Sequence, residues 1–83
     1  MEYKITLPKN DNGFKFEWED DYKISLKTDS DQVLLTANKA GLISLARHLL
    51  NLSQDDFKSD YHFHLDEYNS LEENSSQLII QKK

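Results

Sequence analysis

The chain has 83 residues, no cysteine and a formal net charge of −5, from ten Lys/Arg against fifteen Asp/Glu. That length allows one hydrophobic core and one domain. The missing cysteines exclude disulfide scaffolds, thiol catalysis and Cys-based zinc sites, and the acidic balance argues against nucleic acid and anionic membranes, which require a positive face. Four Tyr, four Phe and one Trp are too many aromatics for a disordered chain. The start, Met1-Glu2-Tyr3-Lys4-Ile5, lacks the basic and then apolar order of a signal peptide, and no run approaches a membrane span, so a cytoplasmic location is expected.

Tyr3, Ile5 and Leu7 alternate with Glu2, Lys4 and Thr6, which predicts a first strand ended by Pro8. Asn10-Asp11-Asn12-Gly13 is a turn, with Asn12-Gly13 suited to positive φ. Phe14, Phe16 and Trp18 alternate with Lys15, Glu17 and Glu19 as a second strand, and Asp20-Asp21 turns the chain again. Tyr22, Ile24 and Leu26 alternate with Lys23, Ser25 and Lys27 as a third. After a turn at Thr28-Asp29-Ser30-Asp31, Gln32 to Ala37 is a fourth strand, apolar on both faces through Val33, Leu34 and Leu35; such a strand usually sits inside a sheet.

The period changes at Asn38, a good N-cap. Leu42, Ile43, Leu45, Ala46, Leu49, Leu50 and Leu52 span an arc of about 180° on a helix of roughly 14 residues, and Ser44, Arg47, His48 and Asn51 fill the other side. On this reading the helix is amphipathic with its leucine arc toward the core, and Arg47 and His48 lie near its C-terminal end, where the macrodipole favours cations. Gly41 reads as a mild defect, costing about 1 kcal/mol against Ala. Tyr61, Phe63 and Leu65 alternate with His62, His64 and Asp66 as a fifth strand, and Gln77 to Lys82 forms a sixth. The acidic segment Glu67 to Ser76 between them is the longest connection, and long connections in small domains are often functional. The expected fold is α+β: an antiparallel sheet of about six strands in the order β-β-β-β-α-β-β, with one amphipathic helix on one face.

Asp60, His62, His64 and Asp66 share one strand face, a plausible set of zinc ligands. The plainer reading is a solvated strand face, since no fourth ligand announces itself, and no metal or cofactor is expected. Phosphate loops and nucleophile elbows are missing, and Asp29-Ser30-Asp31 does not continue as a calcium loop. The aromatic stripe Phe14, Phe16, Trp18 reads most simply as core; alternatively Trp18 anchors a partner. The acids cluster at turns and loops, as either solubility or steering of a basic partner would require.

The run from Asn38 to Leu50, Asn-Lys-Ala-Gly-Leu-Ile-Ser-Leu-Ala-Arg-His-Leu-Leu, resembles the central helix of the immunity protein 32 family. Tyr61-His62-Phe63-His64-Leu65-Asp66-Glu67 is similar to that family too, as are Leu71-Glu72-Glu73-Asn74-Ser75 and Leu78-Ile79-Ile80. The resemblance covers about half of the chain, from Asn38 to Lys82. Asn74 stands where such families often carry glycine, and Asn tolerates the same left-handed backbone. The resemblance implies a non-enzymatic bacterial protein of a polymorphic toxin system that binds and blocks a cognate toxin. A basic toxin domain would be met by an acidic surface, with His62, His64, Asp66, Glu67, Tyr68, Glu72 and Glu73 as the contact region. The competing reading is a homodimeric structural or regulatory module that uses the open sheet face, with Leu34 and Ile79 at its centre.

Overall fold

The computed structural model describes residues 2–83. Its elements are β1 (Ile24–Asp29), β2 (Gln32–Ala37), α1 (Lys39–Leu52), β3 (His62–Leu65) and β4 (Leu78–Gln81). The fold is α+β as expected, but the single six-stranded sheet is not formed. Among the described residues there are two antiparallel two-stranded sheets, β1-β2 and β3-β4. In the first, Ile24 faces Ala37, Leu26 faces Leu35 and Thr28 faces Val33; in the second, Phe63 faces Ile80 and His64 faces Ile79. Leu34 and Ile79 therefore belong to different sheets, and no single open sheet face joins them.

The two expected N-terminal strands are not formed, and for the second of them the hydrogen bonds show why. No backbone–backbone ladder ties residues 2–18 to another segment among the described residues. From Phe14 to Glu19 side chains satisfy the backbone instead. The N–H of Glu17 donates to His48 Nε2 (3.1 Å), that of Glu19 to Ser44 Oγ (2.9 Å), and that of Phe14 to the Tyr61 hydroxyl (3.1 Å). The Lys15 carbonyl accepts from Asn51 Nδ2 (3.3 Å), and the Glu17 carbonyl from Arg47 Nη1 (3.3 Å). Along Lys15 to Glu19 the polar stripe of α1 takes the place of a neighbouring strand.

This reverses the expected orientation of the helix. Ser44, His48 and Asn51 are 0% exposed, whereas Leu42, Leu49 and Leu50 are about half exposed. The buried stripe, Ser44, His48 and Asn51 with Gly41, Leu45 and Leu52, spans about 120° and overlaps the leucine arc only at Leu45 and Leu52. Each buried amide and hydroxyl has partners, as burial demands. Asn51 and Asn10 exchange amide hydrogen bonds (2.7 and 3.2 Å), and Gln54 Nε2 donates to Asn51 Oδ1 (2.7 Å). Ser44 Oγ accepts from Glu19 and donates to the Ala40 carbonyl (2.8 Å).

The predicted cap is in place: Asn38 Oδ1 accepts from Gly41 N–H at 2.8 Å. Gly41 is the point where α1 touches the first sheet. A Cβ there would stand 2.6 Å from the Lys23 carbonyl oxygen, 2.9 Å from Ile24 Cγ1 and 3.1 Å from the Ala37 Cβ. The glycine is thus a contact requirement and not a defect.

The core is Ile24, Leu26, Leu45, Leu52, Phe57, Phe63, Leu65 and Leu71, with Phe14, Trp18 and Tyr22 packed against it. Of the aromatic stripe, Phe14 and Trp18 belong to this core, Phe14 lying 4.7 Å from Phe63 and 5.3 Å from Phe57, centroid to centroid, whereas Phe16 is exposed. Trp18 stacks on Tyr22 at 4.5 Å and meets the His48 ring edge-on at 4.3 Å. Lys82 Nζ donates to the carbonyls of Ser53, Gln54 and Phe57 (3.3, 2.7 and 2.8 Å), so the residue after β4 ties down the turn that follows α1. Lys82→Met removes three donors at once and is expected to cost about 2 kcal/mol, read as a lowered urea midpoint with an unchanged m-value. An unchanged midpoint would show that water serves these carbonyls equally well.

Candidate partner-binding surface

Alternation along β3 sends Phe63 and Leu65 into the core and His62 and His64 outward. The two imidazoles are 5.3 Å apart, centroid to centroid. His62 Nδ1 lies 3.0 Å from the Asp60 carbonyl oxygen, to which it donates. His64 Nδ1 lies 3.3 Å from Gln77 Nε2, an amide donor, so His64 accepts there. Among the described residues no group of three or more His, Asp or Glu side chains gathers in a way that could hold a metal ion. A cleft of about 140 Å³ between Phe16, Trp18, His64, Leu65, Asn69 and Ser70 is smaller than the roughly 300 Å³ at which ligand pockets begin.

The acidic connection after β3 is tightly built. Asp66 organises its first turn: its carbonyl accepts from the N–H groups of Asn69, Ser70 and Leu71, and its Oδ1 accepts from Tyr68 N–H at 2.9 Å. Asn69 returns two bonds, accepting from Asp66 N–H (2.9 Å) and donating to the His64 carbonyl (3.0 Å). Leu71 plugs into the core. Glu67 Oε2 accepts from Asn74 N–H (2.9 Å), and Asn74 is left-handed (φ 68°) as its tolerance for that backbone predicts. The Glu72 and Ser76 N–H groups then donate to the carbonyls of Ile24 and Leu26, both at 2.8 Å, fastening the connection to the edge of β1.

The seven candidate residues therefore divide. Asp66 and Glu67 spend a carboxylate oxygen each on the connection's own backbone. His62, His64, Tyr68, Glu72 and Glu73 are exposed, Tyr68 by 89%. The structure places the two imidazoles side by side on β3, and Tyr68, Glu72 and Glu73 along the connection that follows.

Charge is segregated along the fold. No Asp or Glu occurs in residues 32–54, which hold β2 and α1; all fifteen lie outside that run. Among the described residues one ion pair forms, Arg47 to Glu19 at 3.6 Å. No other described carboxylate makes an ion pair with a basic side chain.

Among the described residues the one strongly perturbed group is elsewhere. Burial, and then the Arg47 charge, lower the His48 pKa to about 4. Its ring is neutral at pH 7, with Nε2 accepting from Glu17 and Nδ1 buried without a partner. His48 escapes a sequence reading because the leucine arc outweighs it. Its signal is the spacing of Ser44, His48 and Asn51 at i, i+4 and i+7, a polar stripe as regular as the apolar one.

Comparison with known proteins places residues 32–83 in one family model, described as Immunity protein 32. The match takes in β2, α1, β3, the acidic connection and β4, and omits β1 and the N-terminal segment. No curated protein and no solved structure matches the chain.

Proposed function

The chain belongs to the immunity protein 32 family, and from that premise we propose that it is a non-enzymatic immunity protein which binds and neutralises a cognate toxin through its acidic surface. The family match over residues 32–83 is the observation that carries this reading. The segregated charge supports it. A basic toxin domain is steered toward the turns and the connection after β3, where exposed Glu72 and Glu73 flank a backbone already ordered. Such a surface loses little entropy on docking. Exposed Tyr68 supplies the kind of aromatic side chain that anchors interfaces, and His62 and His64 extend the contact across β3. In this reading Asp66 and Glu67 shape the connection and add charge, and the encounter takes place in the bacterial cytoplasm.

Co-expression tests the function. The product of the adjacent upstream gene should arrest growth alone and be tolerated with this chain. An innocuous neighbouring product, or a toxic one that this chain does not suppress, defeats the immunity reading. Charge steering is tested on the complex. Glu72→Lys/Glu73→Lys should weaken toxin binding by about 100-fold at low salt and less at high salt, while the far-ultraviolet circular dichroism stays unchanged. An affinity indifferent to both salt and this double substitution removes the acidic surface from the account.

A further inference from the structure

Gln32–Ala37 has the composition of an interior strand, uncharged and apolar on both faces, yet β2 is the edge of its sheet. Val33 is 66% and Leu34 62% exposed. The backbone groups left open can be named from ladder alternation. On β1, the carbonyls of Ile24 and Leu26 point away from β2 and accept from Glu72 and Ser76. Their cross-strand mates Ala37 and Leu35, with Val33 next in step, therefore turn N–H and C=O away from β1, toward no partner among the described residues. The edge carries none of the usual guards: β2 has no lysine, no proline and an unbroken register with β1.

Charge selects the occupant. A basic partner is drawn to carboxylates, and residues 32–54 hold none. Two copies of a chain with net charge −5 repel wherever acids meet, and this stretch lets them approach without opposing carboxylates. We propose that β2 pairs antiparallel with β2 of a second copy about a two-fold axis at Leu34, making a four-stranded sheet of order β1-β2-β2-β1. An axis normal to the sheet preserves its two faces, so each Leu34 meets its own copy, as an isologous contact requires. Val33 then faces Leu35 of the second copy in pairs that exchange N–H···O bonds through the open groups. The same register sets Asp29, at the hairpin end, opposite Lys39 of the second copy. The preference for a second copy over a toxin strand rests on the acidic contact surface proposed for the toxin; the self-association does not require a toxin.

Sedimentation velocity on the full chain, without toxin, should show a monomer–dimer equilibrium. Leu34→Glu sets two carboxylates against each other at the axis and should weaken dimerisation by about 100-fold with the circular dichroism retained. Because the chain has no cysteine, Leu34→Cys reports the axis directly. A non-hydrogen-bonded antiparallel pair brings Cα atoms to about 4.5 Å, within disulfide reach, so oxidation should yield a covalent dimer. Leu49→Cys, on the outward side of α1, should stay monomeric under the same oxidation. The proposal is overturned by a chain that remains monomeric at high concentration, or by a dimer that survives Leu34→Glu. It is equally overturned by a cross-link that forms at Leu49→Cys and not at Leu34→Cys. A monomer whose toxin binding is lost in Leu34→Glu assigns the edge to the toxin instead. Co-expression rescue reads the immunity function independently of all these outcomes.

Discussion

Gly41→Ala is expected to destabilise the protein by about 2 kcal/mol, against the usual gain of about 1 kcal/mol for replacing a helical glycine with alanine. The opposition arises from where the glycine sits. Helix α1 crosses the end of the β1-β2 hairpin with Gly41 against it, and the added methyl would lie 2.6 Å from the Lys23 carbonyl oxygen. That oxygen is fixed, since it accepts from the Asn38 N–H (3.1 Å), and Asn38 also caps the helix. The backbone must therefore give way, and the cap, the hairpin end and the Ile24 contact shift together. Urea unfolding of the two proteins provides the measurement. A Gly41→Ala variant of equal or greater stability would mean that α1 does not approach the hairpin this closely.

Acid should weaken the fold well before its carboxylates titrate. His48 is buried neutral, with a pKa lowered to about 4 from the ordinary 6.5 by burial first and the Arg47 charge second. Between those two values the unfolded chain binds the proton and the folded chain does not. Stability from this group is thus fully present above pH 6.5 and is lost as the pH falls toward 4, by about 3 kcal/mol across the window. Protonation would also place a proton on Nε2, where the Glu17 N–H now donates, and set a second cation beside Arg47. The N-terminal segment should detach first, since Glu17 is bonded through this ring. His48→Leu keeps a buried apolar side chain but strands the Glu17 N–H, and should cost about 1–3 kcal/mol at pH 7. Its stability should then change little between pH 6.5 and 5. Parallel slopes for the parent chain and His48→Leu over that interval would falsify the assignment.

Several elements were legible because local patterns decide them. Asn38 as N-cap, the 14-residue length of α1, the span of β2 and the placement of β3 and β4 all follow from nearest-neighbour chemistry: a capping amide, a change of period, turn residues at Asp29 to Asp31. The outward direction of His62 and His64 follows from strand alternation, since Phe63 and Leu65 claim the core. The left-handed turn at Asn74 follows from a side chain that tolerates positive φ. The family resemblance over the C-terminal half likewise rests on contiguous runs of residues, and the match over residues 32–83 bears it out.

Which face of the helix is buried was not legible. Hydrophobic periodicity assumes that apolar side chains have the strongest claim on the interior. Here the N-terminal segment arrives with backbone donors and acceptors that no strand pairs. Ser44, His48 and Asn51 satisfy them at 2.9–3.3 Å, a claim that periodicity cannot register. The same contacts explain why alternation at Phe14 to Trp18 produces no sheet: alternation reports one buried face and says nothing about which element supplies the hydrogen bonds.

By itself, then, the sequence determined the class of the protein, its family and the local form of most elements, because length, charge, capping and period act over a few residues. Tertiary structure alone decided that α1 turns its leucines outward, that Gly41 is a contact point, that His48 is buried neutral, and that β2 lies at an edge. Each of these depends on pairing between segments far apart in the chain, where the need to satisfy buried backbone groups outweighs the pattern of any one segment.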